Sequence, residues 1–346
     1  MDQREQRRPV TRSVDRQRRR LVHRAVLDHL LGLVAGSPLS EALVLRGSMV
    51  MPAWVGADAR EPADLDWILP RPLLVPIDPA YPYPYVEEVD LVRQWPEAAD
   101  GADPYEIWKF EELDTKGLRA LVPPEGLHWI ADAEPEDRPP HETLLDLVRR
   151  QPMAPPGVRL DADAARNDGT WTYSQYDTPG TRLIIPWKAE DLPAGEVRLD
   201  FARDEWLPQP PVWTAIPRGD GAEPTVLRTA GPELSLAWKL LWLHADCATQ
   251  GRAQAKDLYD AVLLAEADAT NLSLRLLRQV FRHEPGNTAA EDALRPDAVT
   301  QWSVDWEEFR ADHPRLHGTA QEWLQRLNRA LQRVLGAVGE EFSPNK

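Results

Sequence analysis

Between Val14 and Val34 the apolar residues Leu21, Val22, Ala25, Val26, Leu30, Leu33 and Val34 recur at helical spacing, and Ser37-Pro38 ends the series. This predicts an amphipathic helix. Ala42 to Leu45 is a short apolar run closed by Gly47, and Leu65 to Leu69 is another, so two strands are expected to flank a loop and a helical turn. From about residue 70 to 180 the periodicity dissolves among Pro, Asp and Glu, in "PAYPYPY", "AEPEDRPP" and "QPMAPPG", and only His141 to Arg150 reads as a short helix. Order returns at Leu183 to Trp187 and Glu196 to Phe201, a strand pair joined through Leu192-Pro193-Ala194-Gly195, with Leu199 and Phe201 alternating around Asp200. After Pro232 the period is helical, over 233–247, 252–266, 271–283 and 319–338. The pattern predicts a mixed α/β first part, residues 1–225 with an irregular region at about 70–180, and a helical second part, residues 226–346.

Composition narrows the setting. A chain of 346 residues can bury a proper core without help from disulfides or metals. The single cysteine, Cys247, cannot form an internal bridge, which suits a reducing compartment and makes a cytoplasmic location the expectation. No apolar run approaches the roughly 20 residues that span a bilayer, and the N-terminus lacks a signal-type apolar block, so no membrane role is expected. The net charge of −16 weighs against a polyanionic partner, because such affinity comes from neutralising phosphates. Its distribution is uneven: residues 1–24 hold nine arginines against Asp2, Glu5 and Asp15, a net of +6 that leaves −22 for the remainder. That arm reads either as a solvated helix start or as a phosphate-backbone contact.

The candidate chemistry is carried by a few acids, one turn and one lysine. Hard divalent cations take carboxylate oxygens, and ions so held neutralise and align phosphates for transfer. Asp64 and Asp66 in "PADLDWILP" form an Asp-x-Asp pair, expected to act together at a strand end; the pair sits where an apolar run begins, and taken alone it also fits a solvated loop. Gly47-Ser48 follows a buried-looking strand, as in a turn where backbone N–H groups meet phosphate oxygens, or in an ordinary strand-to-helix turn. Leu234 to Leu243 is apolar on every side of the helical wheel except at Lys239, a charge that needs a structural carboxylate or an anionic ligand. In the next helix Leu258, Ala261, Val262 and Ala265 make the apolar stripe, Asp257 lies at its margin, and Lys256 with Asp260 reads as a solvated i,i+4 pair.

Together these stretches resemble the AbiEii/AbiGii-type nucleotidyltransferase toxins of the polymerase-beta-like superfamily. The first motif runs from Leu43 to Ile68 through Gly47-Ser48, Arg60 and Asp64-Leu65-Asp66; "EVRLDFARDEW" resembles the strand with the third carboxylate, and "GPELSLAWKLLWLHADCATQGRAQAKDLYDAVLLA" the paired C-terminal motifs. The resemblance covers roughly residues 20–70 and 180–266. It implies an α+β fold, a polymerase-beta-like domain with a small mixed sheet followed by a mainly helical domain. It also implies a metal-dependent transferase that moves a nucleotide from an NTP such as ATP or GTP to an acceptor. Asp64, Asp66 and Asp200 would hold Mg2+, or Mn2+ in its place, Gly47 and Ser48 would cradle phosphates, Lys239 would neutralise the triphosphate, and Asp257 would serve the same site. RNA such as the tRNA 3′ end is the implied acceptor, a cognate antitoxin the implied partner, and a toxin–antitoxin or phage-defence system the implied setting.

Two rivals share the same residues. One keeps the chemistry but moves the nucleotide to a small molecule or a protein side chain, which the acidic body favours; the other is a non-catalytic NTP-binding regulatory protein, which the intact acids and buried lysine argue against. The fourteen tryptophans, Trp238, Trp242 and Trp323 among them, fall mostly at helical core positions, and the eight histidines show no metal-ligand spacing. The apolar face around Trp323, Leu324, Leu327 and Leu331 is expected to dock on the helical part rather than form a dimer.

Overall fold

A computed structural model describes residues 7–70, 138–171, 180–190, 192–203, 207–282 and 288–341. The first six residues, the side chains before Gln17 and most of the Pro/Asp/Glu-rich region lie outside the described residues, and with them the expectation about the arginine arm.

Helix α1 (Arg7–Ala35) extends one end of the predicted helix. A short α2 (Leu39–Ala42), strand β1 (Val44–Arg46), a 3-10 turn (Gly47–Met49), α3 (Met51–Val55) and β2 (Asp64–Leu69) follow. The predicted short helix is α4 (Pro140–Arg150), after which β3 (Met153–Ala154), β4 (Val158–Leu160) and β5 (Arg166–Trp171) lead to the long hairpin of β6 (Gly180–Ala189) and β7 (Gly195–Arg203). Strands β8 (Val212–Ile216) and β9 (Thr225–Thr229) then precede the helices.

These nine strands form one mixed sheet in the order β3-β4-β6-β7-β2-β1-β9-β8, with β5 also paired to β6. The sheet is larger than the small one expected. β2 runs parallel to β7 and β1 parallel to β9, whereas the other pairs are antiparallel. Along β6 and β7 burial alternates: Leu183, Ile185, Trp187, Val197, Leu199 and Phe201 face inward with Val26, Leu27, Leu30 and Val34 of α1. One face of this half of the sheet is thus covered by α1 and α4, and the opposite face presents its even-numbered residues.

The helical part consists of α5 (Pro232–Gln250), α6 (Ala255–Glu266), α7 (Leu274–Phe281), α8 (Ala290–Ala293), α9 (Pro296–Val299), α10 (Trp306–Asp312) and α11 (Ala320–Glu341). α5 has Pro at its start and Gly251 in the left-handed conformation at its end, the usual asymmetry of helix termini. Trp323, Leu324, Leu327 and Leu331 of α11 are buried with Leu258, Ala261 and Val262 of α6, so that apolar face docks within the chain as expected. The same core takes in Val44, Met51 and Ile68 from the β1–β2 region. The helices therefore cover the second face of the sheet at β1 and β2, and β6, β7 and β4 lie beyond them.

Candidate active site

The expected acids meet on one face. Side chains two residues apart on a strand point the same way, so Asp64 and Asp66 act together because of the strand period, and their place at the start of β2 is not what joins them. Parallel pairing of β2 with β7 sets Asp66 opposite Asp200 and Asp64 opposite Arg198. Across β7, Asp200 is paired with Arg182 of β6, and across β2, Asp66 is paired with Arg46 of β1. Register alone thus places three carboxylates and three guanidinium groups on contiguous positions of the same face.

Gly47 follows at once, with a φ of 79°. A Cβ there would stand 2.3 Å from Asp66 Oδ2. The expectation gave this glycine to an approaching phosphate; in the structure its lack of a side chain also makes room for the Asp66 carboxylate, and the left-handed turn would strain any other residue. Ser48 is 2 % exposed and its Oγ has no hydrogen-bond partner, an uncommon state for a buried hydroxyl.

The acids are electrostatically loaded. Burial, and then the charge of Asp64, push the Asp66 carboxyl up to about 6, with Asp200 adding to the shift and Arg46 and Lys239 opposing it. Asp200, 3 % exposed, accepts from Arg182 Nε and Nη2 at 2.7 and 2.9 Å, with Arg198 Nε 3.6 Å from Oδ2. Asp64 accepts from Arg198. With the acids turned to these arginines, no three carboxylate, imidazole or thiol groups among the described residues stand grouped as metal ligands.

Facing the acids is a buried ionic cluster contributed by α5 and α6. Lys239, 5 % exposed, donates to Asp257 at 2.5 Å and lies 3.3 Å from Asp260 Oδ2. Burial would lower the lysine pKa, but Asp257 and Asp260 outweigh it and raise it; burial would raise Asp257, but Lys239 outweighs it and lowers it. Both groups are therefore charged. Asp260 also accepts three hydrogen bonds from Arg60 at 3.0 to 3.2 Å and is fully buried. The reading of Lys256 and Asp260 as a solvated surface pair is corrected: residues three apart on a helix are about 60° apart around its axis, so Asp260 shares the inward side with Asp257. The stacked rings of Trp238 and Trp242 complete the wall, with the Arg46 guanidinium 5.3 and 5.6 Å from their centroids and Lys239 Nζ 5.1 Å from that of Trp242.

All of the residues singled out beforehand, Gly47, Ser48, Asp64, Asp66, Asp200, Lys239 and Asp257, are accounted for in this region. Arg46, Arg182 and Arg198 were not singled out, Asp260 was read only as half of a surface pair, and Arg60 was noted only as part of a motif. Arg46 had a signal, a charge inside the buried run "LVLR". Arg182 and Arg198 had none, because their importance comes from strand register.

A family model described as "Nucleotidyl transferase AbiEii toxin, Type IV TA system" matches residues 30–333. Among solved structures, the chain is similar to MenT4, a nucleotidyltransferase toxin of Mycobacterium tuberculosis H37Rv, at 14 % identity and a TM-score of 0.43 over 92 % of each chain. A comparison with curated proteins finds no match.

Proposed function

The chain belongs to the AbiEii family of nucleotidyltransferase toxins of type IV toxin–antitoxin systems, and from that premise we propose that it transfers a nucleotide from a metal-bound NTP to the 3′ end of an RNA at the face shared by Asp64, Asp66 and Asp200. The observation that carries the reading is the parallel register of Asp66 with Asp200, with Asp64 on the same face and Lys239 close enough to Asp66 to counter its pKa shift.

The donor set fits a hard divalent cation such as Mg2+ or Mn2+. It consists of carboxylate oxygens that strand register sets on adjacent positions of one face, and burial together with the charge of Asp64 holds the Asp66 pKa up, a cost that a cation at this position would relieve. Asp64, Asp66 and Asp200 would hold the ions once Arg198 and Arg182 turn aside, and ions so held would supply charge neutralisation on the phosphates. The unpartnered Ser48 hydroxyl is a donor available to a phosphate oxygen, beside the backbone N–H groups of its turn. Lys239 offers a fixed positive charge on the opposite wall, oriented by Asp257 and Asp260. In this reading Asp200 would take the proton of the acceptor hydroxyl. The antitoxin that such a system implies would restrain this activity.

The test is incorporation of each labelled NTP into total RNA with Mg2+ or Mn2+ present. Asp64→Ala and Asp200→Ala are expected to fall to background while remaining folded. Wild-type activity in Asp64→Ala would overturn the site.

A further inference from the structure

On the open face of the sheet a row of cations leads away from the carboxylates. Arg182, Ile184, Pro186 and Lys188 of β6 share this face, Arg198 and Glu196 flank them on β7, and Arg159 lies opposite Lys188 on β4. Arg166 of β5, opposite Ile184, reaches across β6 to Glu196 of β7 at 2.7 and 2.8 Å and compensates the charge of the one acid on β7 between Asp200 and the strand's start. Arg159 and Lys188 are both exposed and directly cross-strand, and neither forms an ion pair among the described residues, although Asp161 and Glu190 are close in sequence. Two like charges placed opposite each other weaken a strand pair. A chain that carries −16 overall nevertheless keeps them here, on the strand that carries Arg182 against Asp200.

We propose that this face is the seat of the acceptor's phosphodiester backbone: the RNA 3′ end lies at Asp66 and Asp200, and the preceding nucleotides run along β6 over Ile184 and Pro186 to Arg159 and Lys188. The proposal rests on the RNA-acceptor reading above and adds the surface that carries the strand. From Arg182 to Lys188 the track spans six residues, roughly 20 Å of strand. Its cations supply phosphate contacts, which position a polynucleotide without reading sequence, while Ile184 and Pro186 offer no aromatic face for stacking, so the affinity rests on those contacts.

The experiment measures binding of a labelled single-stranded RNA oligonucleotide, without NTP, as a function of salt, for wild type, Arg159→Gln/Lys188→Gln, and a control, Arg315→Gln/Arg329→Gln, that removes two exposed cations from the helical part. For the β4–β6 variant the slope of log affinity against log salt is expected to become shallower by about 1.4, with affinity about tenfold or more weaker near 0.1 M salt. Its NTP binding should match wild type and its thermal stability should equal or slightly exceed it, because two opposed like charges are gone, and in transfer assays its KM for RNA should rise at constant kcat. An unchanged slope, an equal loss in the control, or absence of RNA binding by wild type would overturn the proposal. Failure of wild type to transfer nucleotide to RNA would instead sink the acceptor reading, since the binding arm needs no turnover.

Discussion

At the residue scale the decisive group is Asp66, whose carboxyl is pushed up to about 6 by burial and by Asp64. The unfolded chain releases this proton near the ordinary value of 3.8, so between about 4 and 6 the folded, metal-free protein binds more protons than the unfolded one. Stability from this group is therefore greatest at low pH and is lost as pH rises through that window. A cation needs the ionised form, so its affinity should move the other way, falling about tenfold per pH unit below about 6. Calorimetric titration with Mn2+ from pH 5 to 7.5 checks this, and Asp66→Asn should bind weakly with a flatter profile. An affinity independent of pH would remove Asp66 from the ligands. The individual acids and the Gly-Ser turn were legible because each is a local string. Arg182 and Arg198 were not, since only the pairing of distant strands brings them to Asp200 and Asp64.

At the scale of elements, the segment before β2 is tied to α6. Arg60 binds Asp260, and the Tyr259 hydroxyl donates to the Asp58 carbonyl at 2.6 Å. This link fixes the start of the strand that carries Asp64 against α6, whose Asp257 and Asp260 pair with Lys239 of α5. Arg60→Met should cost about 3 kcal/mol, because it leaves a fully buried carboxylate short of one cation. With Asp260→Asn it should give a coupling energy above about 1 kcal/mol in chemical denaturation, and additive effects would refute the link. Amphipathic periodicity gave α1, α5, α6 and α11 to within a few residues at most ends. The strands β8 and β9 escaped notice because their hairpin is rich in Pro and Gly and β8 is an edge strand with Val212 and Trp213 exposed. Asp260 was misplaced for a related reason: its i,i+4 partner in sequence was a better surface match than its i−3 neighbour, and only burial decides between them.

At the scale of the whole molecule, the sheet and the helices share a core. Val44, Met51 and Ile68 are buried with Ala230, Leu234 and Leu258, and β9 spans Thr225–Thr229, across the compositional change near residue 225. The protein should therefore unfold in one transition, with tryptophan fluorescence and far-ultraviolet circular dichroism coinciding in urea; separate midpoints would show that the helical part stands alone. That union has a consequence in time. Asp64 meets Arg198 across 134 residues and Arg60 meets Asp260 across 200, so a nascent chain that stops short of α6 lacks part of the proposed site. At ~5–20 residues per second, on the order of 10–40 s separates the emergence of Arg60 from that of Asp260. On the proposed function, each chain is expected to be inert throughout that interval and to gain activity only after α6 has emerged.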